Sequence, residues 1–269
     1  MSFPLAVDGR PALEVAQEVA RQAGRVILRR FPGRKQISHK GRANLVTDTD
    51  MQAEKTILSL LRRHFPSHAI LSEETGQAAE GSEYQWVVDP LDGTRNFAWG
   101  IPFFATCLAL ARGNEVVLGV VYDPVRRELF WAERGKGAAV NGKPMALSSR
   151  ASLDQAVLGT DSGYDDDKAK RAFQLVTDLW PGVQAVRLMG SAALGLTYVA
   201  CGRLDLYFHH TLQPWDLAAS LLMIEEAGGK VTQKDGSPAS YRSPGIIAAN
   251  PALHAAFLER VRNHPWQQA

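Results

Sequence analysis

Six residues constrain this chain more than any others: Asp89-Pro90-Leu91-Asp92-Gly93-Thr94. They follow a short apolar run, Trp86-Val87-Val88, which reads as the end of a buried strand. That strand delivers two carboxylates into a turn, with the Leu91 carbonyl between them. Oxygen ligands crowded in this way suit hard divalent cations such as Mg²⁺. Gly93 and Thr94 then offer backbone N–H groups where a helix can begin, a place where phosphate binds well. Metal ligands beside an anion cradle imply metal-assisted phosphate chemistry.

The chain around this turn is large enough to support it. Its 269 residues are 45% apolar, sufficient for a substantial core in one large domain or two close-knit ones. A formal charge of +2 is too mild to imply nucleic-acid binding, and Arg29-Arg30 and Arg126-Arg127 are isolated pairs. No stretch approaches the roughly 20 apolar residues of a membrane span. The N-terminus lacks a basic start followed by an apolar run, so no secretion signal is expected. Cys107 and Cys201 both sit among apolar neighbours, which suggests a reduced, buried pair and a cytoplasmic protein.

Apolar residues recur at helical spacing from Ala12 to Phe31, and Pro32-Gly33 stops that helix. Gln36 to Asn44 is polar, fitting an exposed hairpin or loop. A second helix is expected from Thr47 or Asp48 to just before Pro66, with Met51, Ile57, Leu58 and Leu61 inward. Ala69 to Leu71 reads as a strand running into Ser72-Glu73-Glu74-Thr75-Gly76, and Gln77 to Glu83 as a polar loop. Phe103 to Ala111, Val116 to Tyr122 and Leu129 to Ala132 suggest an antiparallel meander, and Asn141-Gly142 a tight turn. Trp99 to Phe104 is expected to anchor the core beneath the site. The second half alternates strand and helix, ending in a helix from Ala252 to Arg262. A boundary near Leu147-Ser148-Ser149 divides the chain into 1–147 and 148–269, with the site between them.

Acidic residues stand in four suggestive places: Asp50, Glu73, the Asp89/Asp92 pair and Asp216. Each of the single positions has an ordinary reading. Asp50 favours a helix N-terminus, Glu73 is a solvated charge, and Asp216 follows Pro214-Trp215 as a helix cap. Asp89 with Asp92 is different, because two carboxylates at the end of a buried strand are costly without cations. Asp165-Asp166-Asp167 opens a helix and is better explained by its dipole than by a metal.

These residues also form long, ordered motifs. Trp86 to Phe97 closely resembles the first signature of the inositol monophosphatase family, and Pro214-Trp215-Asp216-Leu217-Ala218-Ala219, leading to Gly228-Gly229, resembles the second. Leu45 to Asp50, Ser72-Glu73-Glu74-Thr75 and Gly190-Ser191-Ala192-Ala193 match further family segments in the same order.

The resemblance implies an α/β fold, a layered αβαβα sandwich shared with fructose-1,6-bisphosphatases. It also implies a Mg²⁺-dependent, lithium-sensitive phosphoric monoester hydrolase that forms a homodimer. By similarity, Glu73, Asp89 and the Leu91 carbonyl hold one Mg²⁺, and Asp89, Asp92 and Asp216 a second. A third, weaker ion leans on Glu73. Asp50 and Thr94 orient and deprotonate the attacking water, and the backbone at Gly93 and Thr94 holds phosphate oxygens. Lys40 is either a helper for the third ion or phosphate, or a solvated loop lysine. Ala192 sits against the substrate.

Many inositol-handling members carry glutamate where this chain has His209, and a neutral imidazole cannot accept as a carboxylate does. The resemblance implies inositol monophosphate or a similar polyol phosphate as substrate, and the change at position 209 keeps other esters open. Histidinol phosphate, fructose 1,6-bisphosphate and 3′-phosphoadenosine 5′-phosphate are the alternatives that relatives hydrolyse. Arg187 is the best single sequence candidate for meeting a second phosphate, and is equally a surface residue. Some relatives bind transcription machinery, so a non-catalytic regulator is the competing class.

Overall fold

A computed structural model describes residues 3–41, 44–78 and 81–268. In chain order its elements are α1 (Ala12–Arg30), β1 (Ile37–Gly41), β2 (Asn44–Thr47), α2 (Asp48–His64), β3 (Ala69–Ser72), β4 (Gly76–Ala78), β5 (Tyr84–Asp92), α3 (Thr94–Ala98), β6 (Ala105–Arg112), β7 (Glu115–Asp123), β8 (Glu128–Glu133), β9 (Ala138–Val140) and β10 (Lys143–Pro144). The second half continues with β11 (Val157–Thr160), α4 (Asp166–Leu179), β12 (Ala185–Leu188), α5 (Ala192–Ala200), β13 (Leu206–His209), α6 (Pro214–Glu226), β14 (Lys230–Gln233), β15 (Ile246–Ala249) and α7 (Pro251–Arg260).

Beyond the β1–β2 hairpin, the strands form two sheets. The larger has eight strands in the order β10-β9-β8-β7-β6-β5-β3-β4, antiparallel except where β3 runs parallel to β5. The smaller has five, in the order β12-β11-β13-β15-β14. Its β12, β11 and β13 are parallel, and β15 is antiparallel to both of its neighbours.

Alternation along the strands explains the layering. Trp86 and Val88 of β5, with Leu108 and Leu110 of β6, bury against α1 and α2. Val87, Cys107 and Ala109 point the other way, onto α5 and α6. Those two helices carry the smaller sheet, whose far face buries Leu206, Phe208 and Ile247 against Leu175 of α4 and Phe257 of α7. The order is helices, sheet, helices, sheet, helices: an αβαβα sandwich, as the resemblance implied. Asp89 shares its strand parity with Val87, so the pleat turns it toward the central helix layer. Gly119 on β7 lets α6 approach, since a Cβ there would lie 2.6 Å from the Ala219 carbonyl oxygen.

Local chemistry sets the boundaries that matter. Thr47 caps α2 and forms a reciprocal capping box with Asp50. Asn141-Gly142 makes the β9–β10 turn, with positive φ at both residues. Asp165 caps α4 by accepting from the N–H groups of Asp167 and Lys168, so that acidic run serves the helix start.

Four sequence expectations need correction. Met51 is 47% exposed, because the buried stripe of α2 runs through Asp50, Ala53, Glu54, Ile57, Leu58 and Leu61 and leaves it outside. Trp99 and Ile101 face solvent just beyond the end of α3, and only Phe103 and Phe104 of that segment anchor the core. Both cysteines are free, but Cys201 is only partly buried. The polar stretch after Gly76 also contributes a short strand, β4.

Candidate active site

The first-signature turn becomes a register shift in the larger sheet. Asp89 pairs with Cys107 and Asp92 with Ala105, with the irregularity between them. The bulge projects both carboxylates while the backbone stays tethered: Leu91 N–H donates to Asp89 Oδ1 at 2.9 Å, and the Thr106 hydroxyl donates to the Pro90 carbonyl at 3.0 Å. Asp216 arrives from the first turn of α6, where it accepts the Gln213 N–H at 2.8 Å. Carboxylate oxygens of Asp89, Asp92 and Asp216 lie within 4.8 Å of one another.

The electrostatics of this cluster are unfavourable as it stands. Burial pushes the Asp89 carboxyl well above the usual range, and the charges of Glu73, Asp92 and Asp216 push it further. Burial likewise raises Asp216, with repulsion from Asp92 and Glu73. Asp92 is raised to about 6 by burial, although the Ser191 hydroxyl and the Ala193 N–H donate to it. Crowded hard oxygens whose strongest charged neighbours are themselves acidic fit a divalent cation. Glu73, at the end of β3, lines the same cavity as Asp89, Leu91, Asp92 and Asp216.

Thr94 and Asp50 form a second unit beside the cluster. The Thr94 hydroxyl lies 3.0 Å from Asp50 Oδ1 and 3.0 Å from the Leu91 carbonyl oxygen. The other Asp50 oxygen accepts the Thr47 N–H at 2.8 Å and the Thr47 hydroxyl. Asp50 thus caps α2 with one oxygen and meets Thr94 with the other. Burial raises its pKa, against the opposing hydrogen bonds of Thr47 and Thr94. Gly93 joins the two units with φ of +88°, and a Cβ there would lie 3.0 Å from the Phe103 carbonyl oxygen, so the turn requires glycine.

The cleft continues into the second half. Ala192, Asp161, Tyr164 and His209 line it together with Asp92 and Gly93. His209 ends β13, buried, and its Nδ1 accepts the Thr211 N–H at 3.0 Å. Burial, then the neighbouring His210, lowers its pKa to about 3, so the ring is neutral at physiological pH. The Lys40 side chain, on β1, lies outside the described residues. Arg187 is exposed on the edge strand β12 and is not part of the cleft lining.

Sequence reasoning missed several supports. Glu54 is buried and accepts from the Ser72 hydroxyl, the Thr75 N–H and the Thr75 hydroxyl, bracketing Glu73. Its signal was a carboxylate on the apolar face of α2, four residues after Asp50. The contact from Ser191 to Asp92 and the placement of Arg95 and Tyr164 join residues from different halves of the chain, and no local pattern announces them.

The fold and this carboxylate site define a class of phosphatases, and the chain belongs to it: the sequence profile of the inositol monophosphatase family matches residues 8–265. Inositol monophosphatase 1 of Solanum lycopersicum is 40% identical over 258 residues, covering 93% of this chain and 94% of that protein. The Nus factor SuhB of Pseudomonas aeruginosa is 39% identical over 263 residues, covering 95% of this chain and 97% of that one. Among solved structures, the extragenic suppressor protein suhB of Bartonella henselae superposes with a TM-score of 0.89 at 38% identity, covering 94% and 98% of the two chains.

Proposed function

We propose that this chain is a Mg²⁺-dependent phosphomonoesterase acting on inositol monophosphate or a similar polyol phosphate. The observation that carries the reading is the convergence of Asp89, Asp92 and Asp216 beside the Thr94–Asp50 pair. Divalent cations held by Glu73, Asp89, the Leu91 carbonyl, Asp92 and Asp216, two with a weaker third, supply Lewis acidity and lower the pKa of bound water.

The chain's own groups do the rest. Thr94 Oγ1 accepts a hydrogen bond from the attacking water and passes its own proton toward Asp50 Oδ1. Asp50, raised by burial, is a better proton acceptor for this task than an exposed aspartate would be. The Glu73 carboxylate adds negative charge to the same cavity. Backbone N–H groups of Gly93 and Thr94 hold non-bridging phosphate oxygens, acting as local donors, since α3 is only five residues long. Ala192 and His209 meet the leaving group, and Lys40 is the further candidate for the phosphate or the third ion. Parts 1–147 and 148–269 work as one catalytic unit, a reading supported by the Ser191 hydrogen bond to Asp92. A cytoplasmic, lithium-sensitive homodimer belongs to the same reading. Among the described residues no helix is long and apolar enough to cross a membrane.

The test is phosphate release from inositol 1-phosphate, histidinol phosphate, fructose 1,6-bisphosphate and 3′-phosphoadenosine 5′-phosphate, with and without Mg²⁺. Mg²⁺-dependent release from at least one ester is expected. No release from any of them would favour a regulatory binding protein, the reading that the Nus factor relative suggests.

A further inference from the structure

The leaving-group end of the cleft carries a second set of donors that the hydrolytic step does not use. Arg95, in the first turn of α3, lines the cleft and reaches across to the loop after β11. Its guanidinium lies 3.5 Å from the Ser162 hydroxyl and 3.3 Å from the Gly163 carbonyl oxygen, and sits 4.7 Å from the Tyr164 ring centroid. These contacts hold its positive charge at the cleft wall. His209 borders the same loop residue: a Cβ on Gly163 would lie 3.3 Å from His209 Cε1. Arg95 and His209 thus flank Gly163.

The polarity of this wall follows from its hydrogen bonds. Because His209 Nδ1 accepts the Thr211 N–H, the neutral ring carries its hydrogen on Nε2 and presents a donor there. The carboxylate nearby, Asp161, also lines the cleft, and its oxygens accept the Gly190 N–H at 2.6 Å and the Tyr207 hydroxyl at 2.6 Å. Arg95 and the His209 N–H thus stand together in the cleft lining as a cation and a donor. Such a surface suits anionic oxygens, which accept charge-assisted hydrogen bonds, more than neutral hydroxyls, which must also donate.

We infer that Arg95 and His209 form an anion subsite, so that the preferred ester carries a second anionic group, carboxylate or phosphate, on its leaving group. This inference rests on the phosphatase reading and moves its preferred ester from neutral polyol monophosphates to doubly anionic ones. Arg95, not the exposed Arg187, is the basic residue placed to meet that group.

The experiment compares kcat/KM, at saturating Mg²⁺, for 2-phosphoglycerate and glycerol 2-phosphate. The two share a skeleton and differ by a carboxylate in place of a hydroxymethyl. A preference of about tenfold or more for the carboxylate is expected, the worth of one charge-assisted hydrogen bond. Fructose 1,6-bisphosphate against fructose 6-phosphate repeats the comparison with phosphate as the second anion, and tells which of the two anions the subsite takes. Arg95→Gln and His209→Glu should each bring the ratio near or below one, chiefly through KM for the doubly anionic ester. Arg95→Lys should keep most of the preference.

Circular dichroism and a melting temperature close to that of the parent chain identify folded variants. Should His209→Glu misfold, Arg95→Gln and Arg95→Lys decide alone. A wild-type preference for the neutral ester in both pairs, or a ratio that Arg95→Gln leaves unchanged, overturns the subsite while the phosphatase stands. If no ester is hydrolysed, the phosphatase reading fails instead. Calorimetric dissociation constants for 2-phosphoglycerate and glycerol 2-phosphate then still read the ratio, and equal affinities overturn the subsite.

Discussion

The two walls of the cleft are built by different means. On the eight-stranded side, Asp89 and Asp92 sit on a buried strand that pairs with β6 on both sides of its bulge, and Asp50 is locked by a capping box. On the five-stranded side, Asp161 to Tyr164 lie on a loop, His209 ends a four-residue strand, and the contacts come from side chains that cross between elements. Charge that must be held in a costly arrangement rests on a rigid sheet. The contacts proposed to select a leaving group rest on loop ends, where substitution disturbs little packing. Asp216 and Ser191 are the exceptions: they come from the second half but complete the first wall, because α5 and α6 are sandwiched between the sheets.

This contrast can be broken or sharpened by mutation. The largest effect belongs to Asp92→Asn, which removes a ligand charge at almost constant volume. It should lower kcat by about a thousandfold or more for every ester, since ligand charge is worth several kcal/mol to the transition state. Near-normal turnover of any ester in a steady-state assay would refute the assignment. Thr94→Val keeps the shape and removes the hydroxyl between water and Asp50. About a hundredfold loss in kcat with unchanged Mg²⁺ affinity is expected, and a loss confined to KM would point to binding instead.

Ser191→Ala tests whether the second half tunes the first wall. Removing a hydrogen bond to a ligating carboxylate should weaken Mg²⁺ affinity about 10- to 100-fold, measured by calorimetry. A variant that binds Mg²⁺ normally would show that the Ser191–Asp92 contact is incidental. The smallest change in kcat is expected for His209→Glu: the ranking of esters should shift while the Mg²⁺ requirement stays. An unaltered ranking would mean that this side chain does not touch substrate.

Proton linkage gives an independent check. Asp92 has a folded-state pKa of about 6, above the ordinary carboxylate value of about 4, so the native state binds more protons than the unfolded chain between those values. Its contribution favours folding below about pH 4 and is lost as pH rises through about 6. In EDTA, the melting temperature should therefore decline less steeply over that range in Asp92→Asn than in the parent chain, and added Mg²⁺ should stabilise the parent at neutral pH. Parallel melting curves for the two proteins would argue that Asp92 is not strained by burial.

Much of the site could be read along the chain because its chemistry is compact in sequence. The Asp89-to-Thr94 turn carries strand end, two carboxylates, a carbonyl and a hydroxyl in six consecutive residues, and helical spacing of apolar residues marked α1 and α2. Local patterns could not say which side of an element would be covered. Met51 was misassigned because it lies one step beside the buried stripe of α2, and Trp99 because α3 ends before it.

The sequence alone determined which groups would repel one another, since strand alternation and helix caps are local and turn Asp89, Asp50 and Asp216 in fixed directions. Only the tertiary structure decided what answers them. Glu54 beneath Glu73, Ser191 on Asp92, and Arg95 with His209 around Gly163 depend on how two sheets stack across α5 and α6. Stacking follows from the sum of apolar contacts over the whole core, which no short stretch of sequence encodes.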